Sequence, residues 1–142
     1  YNLRPLEMSG ALGSEQVAKL DGLIAGRRRN GAAFVEAMQD HETFRIQREV
    51  GKSSWFGFSL ILQPEVAQSR ADVVRALEAT GFECRPIVAG NFARKEIMKY
   101  FNYEIHGELP HADYLDTHGL FVGNHHYPVD DAIEALANFK IS

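Results

Sequence analysis

The sequence predicts an α+β fold: a long N-terminal helix leading into a small, mostly antiparallel sheet covered by helices. Three observations carry that expectation. Leu6, Gly10, Gly13, Val17, Leu20, Ile24, Gly31, Phe34 and Met38 recur every three or four positions, the spacing of one helix face. Phe56, Phe58, Leu60 and Leu62 alternate at period two, the spacing of one strand face. The remaining apolar runs are short and punctuated by Gly, Pro and Asn, with no linker-like stretch to divide the chain.

The helix opens at Pro5, whose missing N–H costs nothing in a first turn, and Glu7 follows where the helix dipole favours an acid. Unbroken to Asp40 it would run about 50 Å at 1.5 Å per residue, with Asn30-Gly31 the place to end or bend it. Gly10 and Gly13 weaken a helix unless another backbone comes close. Their neighbour is either this domain's own core or a subunit or domain beyond it. Phe44 and Ile46 alternate within Thr43 to Arg48, a first strand; Trp55 to Leu62 is a second, stopped by Pro64. Ser69 and Asp72 have capping-box spacing before Val73, Val74 and Leu77, and Gly81 suits the end of that helix. Phe82 to Val88 reads as a third strand, and Pro86 places it at an edge. A short helix is expected over Arg94 to Phe101, an irregular stretch over Asn102 to Pro110, and a helical turn or two over Ala112 to Thr117. Leu120-Phe121-Val122 is a brief apolar run. Pro128 leads a last helix through Ile133 and Leu136.

The 142 residues are one domain's worth, and 45% hydrophobic with 24% charged is globular composition. Lys+Arg 15 against Asp+Glu 19 gives a net charge of −4, which argues against a general nucleic-acid binder. No apolar run approaches the roughly 20 residues a membrane helix needs, and no basic-then-apolar leader opens the chain. A single cysteine, Cys84, excludes an internal disulfide framework and fits a reducing compartment. A cytoplasmic protein is therefore expected.

Local chemistry is sparse. His125 and His126 would point to opposite strand faces, and His106, His111 and His118 lack metal-ligand spacing, so no metal site is expected. Cys84 is expected as a small strand side chain, although Arg85 beside it could lower a thiol's pKa. Arg27, Arg28 and Arg29 spread around a helix, as a solvated stretch more readily than a phosphate patch. Arg85 at a strand exit suits an anion, because a guanidinium binds carboxylate or phosphate bidentately. The junction from Gly119 through Phe121, Asn124, His125 and His126 to Pro128 is of the kind that carries ligands.

One resemblance covers nearly the whole chain. The opening Tyr1-Asn2-Leu3-Arg4-Pro5-Leu6-Glu7-Met8-Ser9-Gly10-Ala11-Leu12-Gly13, then Glu15-Gln16-Val17 and Leu20-Asp21, resembles a motif of the DegT/DnrJ/EryC1/StrS family. The arginines at 27–29, the Trp55-Phe56 strand, the helix ending at Gly81, Arg85-Pro86 and Gly119-Leu120-Phe121-Val122-Gly123-Asn124 continue it. The family's members use pyridoxal 5'-phosphate to act on nucleotide-linked keto-sugars. The resemblance implies that residues 1–40 are a connecting and interface helix and residues 41–142 a small C-terminal domain of a longer fold type I chain. That would account for the start at Tyr1, in mid-motif. It implies cofactor contacts by Asn2 and Arg4 across a homodimer interface, and substrate contacts by Arg85, Asn91 and His125. The catalytic lysine, or the histidine that replaces it in the family's 3-dehydratases, would lie upstream, so no catalytic residue is expected here. The runs 85–92 and 123–126 look more like the branch that dehydrates GDP-4-keto-6-deoxymannose than like the aminotransferases. Either 3-dehydration with an amine donor such as glutamate, or amino transfer, is implied, in deoxysugar and lipopolysaccharide biosynthesis. A free-standing α+β ligand-binding or regulatory module, or a purely structural oligomerisation piece, is what the residues suggest without the resemblance.

Overall fold

The computed structural model describes residues 6–141. The period-two segments pair as a four-stranded sheet of order β1-β2-β4-β3, antiparallel throughout, with β1 Phe44–Ile46, β2 Gly57–Leu62, β3 Cys84–Pro86 and β4 Gly119–Gly123. Phe44 stands opposite Leu62, and Phe58 opposite Val122, so one sheet face is continuously apolar. Pro86 sits on the edge strand, where its missing N–H breaks no ladder.

Helices α2 Leu20–Met38, α3 Arg70–Ala79 and α5 Asp130–Ala137 cover that face. Phe34 and Met38, Val73 and Leu77, and Ile133 and Leu136 meet Phe58, Leu60, Leu62, Leu120 and Val122 in one buried cluster. Phe34 stacks on Phe58 with ring centroids 4.2 Å apart. Helix α4, Pro110–His118, lies against β2 and β4 without burying a residue, and its Tyr114 hydroxyl donates to the Leu62 carbonyl at 2.7 Å.

The ends of α3 follow their sequence signals. Ser69 and Asp72 form a reciprocal capping box. Gly81, at φ +97°, lets the Phe82 N–H reach the Leu77 carbonyl and its own N–H reach Glu78, closing a Schellman turn.

The N-terminal helix departs from expectation. It is two helices, α1 Glu7–Val17 and α2, joined at Ala18-Lys19, where the hydrogen-bond ladder tightens from Ala18→Ser14 to Lys19→Gln16. Asn30-Gly31 neither ends nor bends it. A Cβ at Gly31 would lie 2.6 Å from the Trp55 ring, so this glycine admits the indole against the helix backbone. Trp55 itself takes φ +53°, a costly conformation for an aromatic residue, held by burial against Gly31 and an edge contact with Phe34. Gly10 and Gly13 face nothing within 4 Å, and α1 buries no residue, so tight packing inside this domain is not their role.

Other segments also differ. The turn at Trp55 swings Phe56 out of the core face to 73% exposure, although it is in phase with Phe58. The third strand is only Cys84–Pro86. Residues Phe92–Arg94 and Glu96–Tyr100 form two 3-10 turns instead of a helix, because Lys95 between them is extended and Ile97, Tyr100 and Phe101 bury little against the described chain.

Candidate functional cleft

A cleft of about 600 Å³ opens where β4 ends, between the Schellman turn at residues 80–83, the face of α5 and the arginine of α2 nearest the sheet. Phe56, Phe82 and Phe121 line it, with Arg27, Arg85 and Asn124 as its basic and amide groups and Glu83 and Asp131 as its acids. The Phe56 and Phe121 centroids are 6.3 Å apart. A Cβ at Gly57 would come 2.9 Å from the Phe121 ring, so Gly57 leaves that ring room over β2.

The three arginines of α2 take three partners. Arg28 donates to the carbonyls of Ser53 (2.9 Å) and Lys52 (3.2 Å), and Arg29 to Asn30 Oδ1 (2.7 Å). Arg27 turns over the Phe56 ring, 5.8 Å from its centroid, within cation–π range. The run is therefore neither one phosphate patch nor one solvated stretch.

Two buried amides fix the geometry behind the cleft. Asn30 Nδ2 donates to Asn124 Oδ1 (3.1 Å) and to the carbonyls of His125 (2.9 Å) and Tyr127 (2.8 Å). Asn124 Nδ2 donates to the Trp55 (2.8 Å) and Arg27 (3.1 Å) carbonyls. This clasp ties α2, the approach to β2 and the exit of β4 into one piece. Buried polar groups left without partners would be costly, so these bonds make the junction stiff.

The expected site residues fall in different places. Asn2 and Arg4 lie outside the described residues. Arg85 is exposed on the cleft wall and pairs with Glu83 at 2.6 Å. His125 follows Asn124 on the loop beyond β4, not on a strand; its ring lies 4.0 Å from Tyr127 and 4.4 Å from His126, so the two histidines are neighbours rather than opposed. Desolvation and the nearby His126 and Arg27 charges lower the His125 pKa. Asn91 is on the other side of β3, buried, donating to Asp113 Oδ1 (2.9 Å) and capping the Ala93 N–H (3.0 Å). It belongs to a network in which Lys95 holds Asp116 at 2.8 Å and thereby keeps that carboxyl below its usual range. The Cys84 thiol is pushed up by burial and by Glu78, so Arg85 does not activate it.

Phe56 and Asp131 are the cleft residues that sequence reasoning missed, whereas Phe121 lay in the junction expected to carry ligands and Arg27 in the arginine run read as solvated. Periodicity assigned Phe56 to the core, and nothing local separates Arg27 from its two neighbours.

The chain belongs to the DegT/DnrJ/EryC1/StrS aminotransferase family, whose model matches residues 1–138. Among individual proteins, it is 51% identical over 139 residues to GDP-4-keto-6-deoxy-D-mannose 3-dehydratase of Yersinia pseudotuberculosis, covering 97% of this chain and 35% of that protein. The structure of the E. coli GDP-4-keto-6-deoxy-D-mannose-3-dehydratase with bound hydrated PLP superposes with a TM-score of 0.93 at 47% identity, covering 96% of this chain and 36% of that one. A variant GDP-4-keto-6-deoxymannose-3-dehydratase with bound GDP-perosamine matches equally, with a TM-score of 0.93, 47% identity and the same coverage. The chain thus spans about a third of the length of the relatives it matches.

Proposed function

We propose that these residues are the small-domain portion of a pyridoxal-phosphate-dependent enzyme that removes the 3-hydroxyl of a GDP-linked 4-keto-6-deoxy sugar, in deoxysugar and lipopolysaccharide biosynthesis. The observation that carries this reading is 47–51% identity across 96–97% of the chain to proteins named for that reaction. Glutamate is the amino donor in this reading; a relative's structure holds a trapped PLP-glutamate geminal diamine. The enzyme works as a homodimer in the cytoplasm. Residues 1–40 connect and contact the rest of the assembly, and residues 41–142 form the small domain, with the C-terminal half of α2 built into its core. Among the described residues no helix is long and apolar enough to cross a membrane.

The described residues do not assemble a cradle for the cofactor by themselves. Lys95 is committed to Asp116, Lys99 to Glu96 and Asn91 to Asp113 and Ala93. Cofactor contact from this chain is assigned to Asn2 and Arg4, where an amide and a guanidinium suit phosphate oxygens. Pyridoxal phosphate supplies an electron sink when bound. The role of the residues in hand is to bind and orient the sugar nucleotide: Arg85 by pairing with its diphosphate, His125 from the clasped loop, and Asn91 by ordering the turn after β3.

Amino transfer is the second reading, favoured by the family model that matches residues 1–138. The test incubates the whole native polypeptide carrying these residues with pyridoxal phosphate, glutamate and GDP-4-keto-6-deoxymannose, and follows the sugar by mass spectrometry. Loss of the 3-hydroxyl is expected. An amino sugar would support the second reading, and unchanged substrate would overturn both.

A further inference from the structure

Beyond β3 the chain turns at Ile87–Gly90, in a conformation that no contact among the described residues explains. Val88 takes φ +45° and is 87% exposed. A β-branched side chain is the wrong choice for the left-handed region, which glycine enters freely and asparagine at low cost. Trp55, the other described non-glycine residue with positive φ, is buried, so packing holds it; Val88 has no such cover among the described residues. The turn is nevertheless fixed at both ends. Ile87 lies against Gly119, where a Cβ would come 2.7 Å from Ile87 Cδ1, and the Gly90 N–H closes on the Ile87 carbonyl at 2.8 Å. A Cβ at Gly90 would fall 1.9 Å from Asp116 Oδ1, so the backbone rests on that carboxylate. Asp116 is itself anchored: its carboxylate pairs with Lys95 at 2.8 Å, and its carbonyl accepts from Arg70 at 2.7 Å. A strained residue kept in place by its surroundings points to a shape that is used. A mobile solvent loop needs neither the charge network nor the valine.

We propose that the turn 87–90 is a preformed knob that seats Val88 in an apolar hollow of the whole polypeptide outside residues 1–142, with Asp116 and Lys95 as its positioning residues. The inference rests on the small-domain reading above, in which the matched stretch is 35–36% of the relatives' length and the larger part of the polypeptide supplies the hollow. Arg85, assigned there to the diphosphate, lies three positions before Val88, and three residues span about 10 Å. The knob therefore seats beside the reaction site, where a small displacement is felt in turnover. Gly90 is what lets the backbone sit on Asp116, and the ion pair is what keeps Asp116 under it.

Two measurements on the whole native polypeptide test this. The first is maleimide labelling of Val88→Cys, located by peptide mass spectrometry. A seated knob labels about tenfold or more slowly in the folded polypeptide than in urea, and adding Asp116→Asn restores much of the rate, as the knob is no longer held in place. Equal rates folded and in urea overturn the proposal. The second is steady-state turnover of the GDP-sugar. Val88→Gly relieves the left-handed strain while losing the side chain, so its melting temperature changes little; its kcat falls about tenfold with KM within about twofold, the split expected of misplacement rather than lost binding. Lys95→Met lowers kcat likewise, and Lys95→Arg, which keeps the charge, recovers most of it. Unchanged kcat in folded Val88→Gly and Lys95→Met overturns the positioning role even where labelling is slow. Wild-type turnover separates this inference from the reading it rests on. If the wild type does not remove the 3-hydroxyl, the dehydratase reading fails and labelling alone decides the knob; if it does and both arms show no effect, only the knob fails.

Discussion

Helix α1 and the C-terminal half of α2 lie on one continuous apolar stripe, yet they do opposite things. Leu6, Met8, Leu12 and Val17 are 63–71% exposed, and a Cβ at Gly10 or Gly13 would meet nothing within 4 Å. Asn30, Gly31, Phe34 and Met38 are buried on the sheet, the clasp and the indole of Trp55. A helical period says that a face wants cover; it does not say whose surface provides it. The same holds for the aromatic segment from Phe92 to Ile105, whose exposed Tyr100, Phe101 and Tyr103 contrast with the aromatic stack of Phe34 and Phe58.

The contrast can be broken most strongly at its buried end. Phe34→Ala should cost about 3–5 kcal/mol, the transfer and cavity terms of a lost core ring, seen as a lower urea midpoint. Asn124→Ala leaves the Trp55 and Arg27 carbonyls and the Asn30 amide short of partners and should cost about 1–3 kcal/mol in the same measurement. Gly31→Ala drives a methyl into Trp55 and should cost about 1–3 kcal/mol, with a changed tryptophan emission reporting the displaced ring. Ser69→Ala removes one half of the capping box and should cost about 1 kcal/mol. At the exposed end, Leu12→Ala should change the unfolding free energy of this unit by no more than about 0.5 kcal/mol, while weakening assembly with whatever covers α1. A large loss of unit stability there would mean that α1 folds back.

Acid sharpens the comparison further, because the titrating groups with resolved causes sit at element ends. Burial lowers the His41 pKa against the opposing pull of carbonyls at Leu136 and Phe139, so folding favours the neutral ring. The unfolded chain binds the proton more readily; His41 therefore adds stability above its ordinary value of 6.5 that is lost as the pH falls through the lower native value. Asp72 is held low chiefly by the Ser69 hydroxyl and Ser69 N–H, so its contribution is present above 3.8 and disappears only at more acidic pH. An acid titration of stability should show a histidine step, shared by His41 and His125, before the Asp72 step, and His41→Gln should shrink the first step and leave the second.

Much of the fold was legible. The capping box at Ser69, the Gly81 turn, the edge position of Pro86 and the alternation of Phe58, Leu60 and Leu62 each rest on a local rule that tertiary packing had no reason to override. Phe56 broke its rule because Trp55 takes a left-handed conformation, its ring packed against Gly31, a residue distant in sequence but in contact in space. Arg85 was legible as a cation at a strand exit. Arg27 was not, because its distinction from Arg28 and Arg29 depends on which way α2 rolls against the sheet.

The amino-acid sequence on its own determined where α3 starts and stops, which face of β2 is apolar beyond Phe56, and which family the chain belongs to, because these follow from spacing, backbone preference and contiguous motifs. Tertiary structure alone decided that Asn30 and Asn124 meet, that Phe56 faces a cleft and that the stripe on α1 stays uncovered by the described residues. Those outcomes depend on contacts between residues tens of positions apart, and no local free energy encodes them.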